Sequence, residues 1–229
     1  MIFSPIKIGS LKVSNRIVVA PMCQYSAING VMTDWHTQHL MQLGYSAAGL
    51  IMVEATAVEK IGRITHNCVG IYDNKCIVSL KKNLQLAKSV ASNKSCFGIQ
   101  LAHAGRKASA QRPWEGRSTL AKGEKPWKTI SPSPIPFQEN WHVPDEMKLS
   151  DIERVKKQFI SASLKAVEIG FDLIEIHGTH GYLLHQFLSP ISNKRMDKYG
   201  GSLENRMRFP LEVFSSVKKT LPKISEDFL

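Results

Sequence analysis

Phe171-Asp172-Leu173-Ile174-Glu175-Ile176-His177-Gly178-Thr179-His180-Gly181-Tyr182 decides the fold. Its first half is a mainly apolar run of strand length, and its second half crowds two histidines and a tyrosine just past the strand's end. A helical stretch precedes it. Ser150-Asp151-Ile152-Glu153 has the capping-box spacing, and the helix it opens is expected to run to about Ile169 and stop at Gly170.

Working outward, the same unit recurs. Phe97-Gly98-Ile99-Gln100-Leu101-Ala102 reads as a strand ending at His103, and Leu50-Ile51-Met52-Val53 as one ending in Glu54-Ala55-Thr56. Arg16-Ile17-Val18-Val19-Ala20 leads into Pro21-Met22-Cys23, with Tyr25 just beyond. Runs apolar on both faces predict buried parallel strands. Helices are expected from about Asp34 to Ala48, Asn74 to Ser92, Ser150 to Ile169, and Leu203 to Leu221, the last capped by Ser202. Phe3 to Val13, turning at Gly9-Ser10, reads as a short hairpin.

Strands each followed by a helix imply a parallel sheet covered by helices. A doubly wound sheet and a (β/α)8 barrel both satisfy that pattern. No G-x-G-x-x-G follows any strand, which argues against a dinucleotide-binding doubly wound fold. Polar side chains at the C-terminal ends of successive strands are the layout of a barrel active site.

Bulk properties narrow the function. The chain has 229 residues, 43% of them hydrophobic, enough to build a core. Its apolar runs are too short to span a bilayer and its N-terminus lacks a signal-peptide pattern, so the expected location is cytoplasmic, with no membrane partner. The net charge of +11 comes from 30 Lys and Arg against 19 Asp and Glu. These charges are scattered without a nucleic-acid motif, so they read as a solvated surface that also favours anionic cofactors. Cys23, Cys68, Cys76 and Cys96 form no C-x-x-C pair, which argues against zinc or a redox dithiol and for reduced thiols. Gly105 to Lys148 is rich in proline and tryptophan, which predicts a long packed loop.

Taken singly, the candidate residues are weak signals. His177 and His180 suit an ordinary loop, Tyr182 a packed aromatic, and Cys23 an inert thiol, while Gln100 and Tyr25 alone carry no information. No third ligand stands at metal-binding spacing from the histidines, so no metal is expected. The Gly200-Gly201-Ser202 turn reads as structural.

Together the motifs say more. Pro21-Met22-Cys23-Gln24-Tyr25, Gln100-Leu101-Ala102-His103-Ala104-Gly105-Arg106-Lys107, His177-x-x-His180-Gly181-Tyr182-Leu183 and Asp197-Lys198-Tyr199-Gly200-Gly201-Ser202-Leu203-Glu204-Asn205-Arg206 resemble the Old Yellow Enzyme family. The cysteine after Pro-Met and the histidine pair resemble its YqjM-like branch, and the segment around Arg112-Pro113-Trp114-Glu115-Gly116-Arg117 resembles the xenobiotic reductases. The resemblance implies an FMN-binding TIM barrel that takes hydride from NAD(P)H and passes it from flavin N5 to the β-carbon of an α,β-unsaturated carbonyl compound. It assigns His177 and His180 to the substrate's carbonyl oxygen and Tyr182 to protonation of the α-carbon. Gln100 would meet the flavin's pyrimidine edge. Ala20, Pro21, Met22 and Ala55 would line the flavin, Cys23 would tune it, and Tyr25 would touch substrate.

The resemblance also implies what is missing. Residues 1–229 are expected to be the N-terminal portion of one barrel domain, a barrel truncated to about its first four βα units with an N-terminal hairpin. Strands 5–8 and the phosphate site would be absent, because Leu221 to Leu229 shows no fifth strand. Two functions follow: an FMN-dependent ene-reductase, or an inactive remnant that at most binds protein through an open sheet. A full-length version is expected to be a homo-oligomer acting on a small molecule. An aldolase or isomerase barrel is disfavoured, because Glu54 is the sole acid at a visible strand end and no lysine stands at one.

Overall fold

The computed structural model describes residues 1–91 and 95–221. It opens with an antiparallel hairpin of β1 (Ile6–Ile8) and β2 (Leu11–Val13). Gly9 turns it with φ +60°, a backbone state that glycine adopts without penalty. The expected hairpin is therefore present.

A parallel sheet follows in the order β3 (Val18–Val19), β4 (Leu50–Ala57), β5 (Cys96–Ala102), then β8 (Leu173–Ile176). Chain order and spatial order agree. That is how a barrel wall grows, whereas a doubly wound sheet reverses direction partway. Between the strands lie α1 (Asp34–Tyr45), α2 (Asn74–Val90) and α3 (Leu149–Ile169). The short strands β6 (Ile130–Ser131) and β7 (Asp145–Glu146) pair with each other inside the proline-rich segment. After β8 come α4 (Leu183–Leu188) and α5 (Leu203–Thr220).

Burial follows position in the sheet. The central strand β4 is buried at every residue, and β5 at all but its first. The two edge strands are less covered, as the expected truncation to an open sheet implies. Val18 of β3 is half exposed, and every residue of β8 is only partly covered. An edge strand has a neighbour on one side only, so apolar composition alone does not bury it.

The helices pack by spacing. In α3, Ile152, Val155, Phe159, Ala162, Ala166 and Ile169 fall three or four apart and form one buried stripe. Ile51, Ile99 and Leu101 of the sheet join the same core. Gly98 lets strand and core meet closely, since a Cβ there would overlap the Met52 side chain.

Helix ends correct several sequence readings. The α3 helix begins at Leu149 with Lys148 at its N-cap, two positions before the expected cap at Ser150. The Lys148 amide donates to Asp151 Oδ2 at 2.9 Å, so Asp151 closes the turn and the Ser150–Glu153 pair does not. Gly170 ends it at φ +100°, as expected. Ser202 caps α5, accepting from the Asn205 amide at 3.2 Å. The first helix stops at Tyr45 rather than Ala48, and α4 was not anticipated. The expected end of the second helix at Ser92, and the reading of residues 222–229 as lacking a strand, fall outside the described residues. Among the described residues, no helix is long and apolar enough to cross a membrane.

Candidate active site

The candidate residues gather at the C-terminal ends of the four parallel strands. The chain leaves β3 through Ala20 and Pro21, with Ala20 and Met22 exposed and Cys23 half-buried. Tyr25 takes φ +50° and sets its ring edge-on to Trp114, with centroids 5.7 Å apart.

A bulge shapes the end of β4. Val53 pairs with Ile99 and Ala55 with Gln100, so Glu54 has no partner in the ladder. Ala55, Gln100 and Glu175 then form one row across three strands. The Gln100 amide donates to Glu175 Oε1 at 2.9 Å. Glu54 turns inward, 3.3 Å from His36 Nε2, and burial pushes its carboxyl above the usual range against the opposing pull of His36.

The loop after β8 brings three expected residues into contact. The His177 and His180 rings stand edge-to-face, with centroids 5.1 Å apart. Tyr182 packs on His177 at 5.0 Å. The Thr179 amide donates to His177 Nδ1 at 3.4 Å, which places the neutral ring's proton on Nε2. Burial, the neighbouring His180 and Lys107 lower the His177 pKa to about 4. His177 is therefore a neutral donor at ordinary pH. Burial raises the phenols of Tyr25 and Tyr182, so both keep their protons.

The His177 value yields a prediction. The unfolded chain takes up its proton near pH 6.5 and the folded chain only near 4. Stability is then fully present above pH 6.5 and declines as the pH falls towards 4. In an NMR titration the His177 Cε1–H signal is expected to shift with a midpoint near 4. His177→Gln should flatten the acid slope of stability in that window. A midpoint near 6.5 would refute the burial argument.

Sequence reasoning missed several groups that hold this mouth together. Lys107 Nζ donates to the His180 carbonyl at 2.9 Å and lies 4.9 Å from the Tyr182 ring centre. Gln186 is fully buried. It donates to the carbonyls of Ala104 (3.0 Å) and Gly181 (2.7 Å) and accepts from the Arg106 amide (3.2 Å). It thereby ties the loop after β5 to the loop after β8. The proline- and tryptophan-rich segment folds over the same mouth, with Trp141 Nε1 donating to the Arg106 carbonyl at 2.9 Å. Lys107 sits in a quoted motif and was within reach of the sequence reading. Gln186 lies on an unexpected helix and left no signal.

The donor set suits a flat heteroaromatic ring. Ala20 and Met22 offer open apolar surface, and Gln100 keeps its carbonyl and a second N–H for a hydrogen-bonding edge. Among the described residues Gln100 makes no hydrogen bond to His177 or His180. Among the described residues no three His, Cys, Asp or Glu side chains form a group that could hold a metal.

Comparison with known proteins follows the same lines. The model of the NADH:flavin oxidoreductase / NADH oxidase family matches residues 1–228. NADH:flavin oxidoreductase FG08077 of Gibberella zeae is 45% identical over 226 residues, covering 97% of this chain and 54% of that protein. An NADPH dehydrogenase of a Geobacillus species (strain WCH70) is 43% identical over 221 residues, covering 96% of this chain and 60% of its own. Old Yellow Enzyme from Pichia sp. AKU4542 superposes with a TM-score of 0.85 at 30% identity, over 99% of this chain and 58% of the other. Morphinone reductase gives 0.81 at 26% identity, over 99% and 60%. The chain thus spans little more than half the length of the relatives it matches.

Proposed function

The chain belongs to the NADH:flavin oxidoreductase / NADH oxidase family, and from that premise we propose that it carries the strand 1–4 half of an FMN-dependent ene-reductase site. The supporting observation is the His177–His180–Tyr182 cluster at the end of β8, together with the exposed Ala20 and Met22 just after β3 in the same parallel sheet. Bound FMN would supply hydride transfer, taking hydride from NAD(P)H and delivering it to the β-carbon of an α,β-unsaturated carbonyl compound. Ala20, Pro21, Met22, Cys23, Ala55 and Gln100 would hold that cofactor, and Tyr25 would meet the substrate.

The remaining steps belong to the chain's own side chains. His177 Nε2–H and the His180 ring bind and orient the substrate's carbonyl oxygen. Negative charge grows on that oxygen during reduction, so fixed donors act most strongly in the transition state. Tyr182 retains its phenolic proton until an enolate forms, then releases it to the α-carbon. The whole protein is proposed to act as a homo-oligomer in one barrel domain on a small-molecule substrate.

A second reading applies to this chain by itself: an inactive half-barrel that binds another protein. Its open sheet favours it. The strand β8 is partly uncovered along its length, and Ile174, Ile176, Phe214, Val217 and Leu221 line an apolar groove beside it. For residues 1–229 taken alone, this reading has the stronger support, because half a mouth leaves one side of any flavin unheld.

One experiment separates the readings. The chain is purified alone, and also fused to the remaining part of the Geobacillus NADPH dehydrogenase. The fusion is expected to retain FMN and to be reoxidised by cyclohexenone after NADPH reduction, while the chain alone releases FMN. A well-folded fusion that neither holds FMN nor reduces an enone would sink the ene-reductase proposal. Flavin retention and turnover by the chain alone would sink the half-barrel reading.

A further inference from the structure

We propose that Lys107, with Arg106 beside it, forms an anion subsite at the mouth of the sheet, so that the carbonyl compound taken there carries a carboxylate. This rests on the ene-reductase reading of the same mouth and names its substrate class. Lys107 touches two members of the cluster at the end of β8. Its Nζ donates to the His180 carbonyl at 2.9 Å and lies 4.9 Å from the centre of the Tyr182 ring. Its stem runs over Gly181, where a Cβ would stand 3.6 Å from Lys107 Cδ. The charge is therefore held beside the groups proposed to bind and protonate the substrate.

The partners of both cations are neutral. The Lys107 ammonium has Phe137 on another side, with the ring centre 4.7 Å from Nζ. Arg106 Nη1 donates to the carbonyls of Ile135 (3.2 Å) and Pro136 (3.0 Å). Its Cζ lies 6.0 Å from the same phenyl centre, and its Nε is buried without a partner. Carbonyl dipoles and ring faces steady a cation but leave its charge in place. An ammonium has three N–H donors, and the His180 carbonyl takes one of them.

The acids of the surrounding segments are engaged elsewhere. In the proline-rich loop Glu115 pairs with Arg112, Asp145 with Lys128 and Glu146 with Arg195, while Glu124 accepts from Gln111. Glu139 is exposed and forms no ion pair with either cation. At the strand ends Glu54 faces His36 and Glu175 accepts from Gln100, and the stretch from His177 to Tyr182 contains no acid. Among the described residues, Arg106 and Lys107 thus have no acidic partner. Burial lowers the pKa of both side chains, and Arg106 adds to the lowering at Lys107. A bound carboxylate would relieve both effects, and it is attracted more strongly by a partly desolvated charge than by one in open water.

One molecule can meet both features. The histidines are proposed to hold a carbonyl oxygen, and Lys107 offers its remaining N–H groups to an anion on the same molecule. A cyclic enone with a carboxylate on its ring satisfies both, whereas a neutral enone leaves the ammonium unmatched. Two anchoring points also fix which way the ligand lies in the mouth, which a single hydrogen-bonded oxygen does not. A lysine suits the task because its compact ammonium can rotate its donors towards the anion.

The test measures binding to the purified chain by NMR at neutral pH. The probes are a cyclohexenone bearing a carboxylate on its β-carbon and the methyl ester of the same compound. The carboxylate is expected to bind roughly tenfold more tightly than the ester, the scale of one hydrogen bond to a charged group, and to move the His177 and His180 Cε1–H signals. Raising the salt from about 10 mM to about 1 M should remove most of that difference. In Lys107→Met the two affinities should become equal, whereas Lys107→Arg should keep the carboxylate ahead, which separates loss of charge from loss of the fold. Equal affinities in the unaltered chain would overturn the proposal. So would no binding of the carboxylate, or a preference for it that survives in Lys107→Met. Tighter, Lys107-dependent binding of adenosine 2′-monophosphate would also overturn it, by giving the cation to a nucleotide phosphate. Flavin and turnover play no part in this test, so its failure is distinct from a fused protein that holds no FMN or reduces no enone.

Discussion

Replacing Arg195 with methionine is expected to lower the stability of the chain by about 3 kcal/mol, the scale for removing one member of a buried ionic cluster. Arg195 is 7% exposed and spends its guanidinium on several acceptors. Nη1 donates to the Pro132 carbonyl at 3.1 Å and the Met147 carbonyl at 2.6 Å, while Nε and Nη2 hold Asp197 at 3.0 and 2.6 Å. It thus fastens the turn before α5 to both arms of the β6–β7 pair. Methionine fills much of the volume and satisfies none of those oxygens, two of which are backbone carbonyls that would lose their partner. Arg195→Lys should recover little, because an ammonium cannot reach around the fork. Asp197→Asn should cost far less, since that carboxylate is partly solvated. Urea unfolding followed by circular dichroism checks all three. A loss below about 1 kcal/mol for the methionine variant, the range of a surface pair, would show that the cluster does not hold the turn.

Arg195 also shows where sequence reading stops. The strands were legible because apolar runs of strand length ended in polar clusters, whereas alternation of strands and helices left both a doubly wound order and the observed β3-β4-β5-β8 order open. The histidine pair and Tyr182 were legible because they lie within one motif and one loop. What stayed hidden depends on separations the chain does not display. Arg195 reaches Pro132 and Met147, far away in sequence, and Gln186 joins two loops from a helix that periodicity did not signal. The Glu54 bulge changes which residue faces Gln100, and register of that kind is set by the partner strand rather than by the strand's own composition. The α3 cap was misread because two overlapping frames were available, and the one using Asp151 won although Lys148 itself is a poor cap. Edge exposure of β3 and β8 followed instead from the expected truncation, which leaves the first and fourth strands an open side. Valine and isoleucine report a preference for burial, and the neighbours that exist decide whether it is met.

The largest functional effect is expected at Tyr182. In the fused protein, Tyr182→Phe should slow reoxidation by an enone by roughly 10²- to 10⁴-fold, the usual contribution of a positioned general acid. Reduction by NADPH should be unchanged, because that half-reaction needs no proton at the substrate's α-carbon. Phenylalanine preserves the packing against His177, whose ring centre lies 5.0 Å away, so substrate binding should change little. His177→Ala should behave differently, losing both carbonyl orientation and transition-state stabilisation, so that binding and turnover weaken together. Substrate choice sharpens the test. A quinone receives its protons on oxygen, where water competes, and its reduction should be nearly indifferent to the loss of the phenol. A cyclic enone receives its proton on carbon, where water is a poor substitute for a positioned acid. Stopped-flow measurement of both substrates with one variant therefore separates the role of Tyr182 as acid from a role in packing. Equal slowing on quinone and enone would assign the side chain to structure. Slowing on the enone alone would assign its proton to the α-carbon.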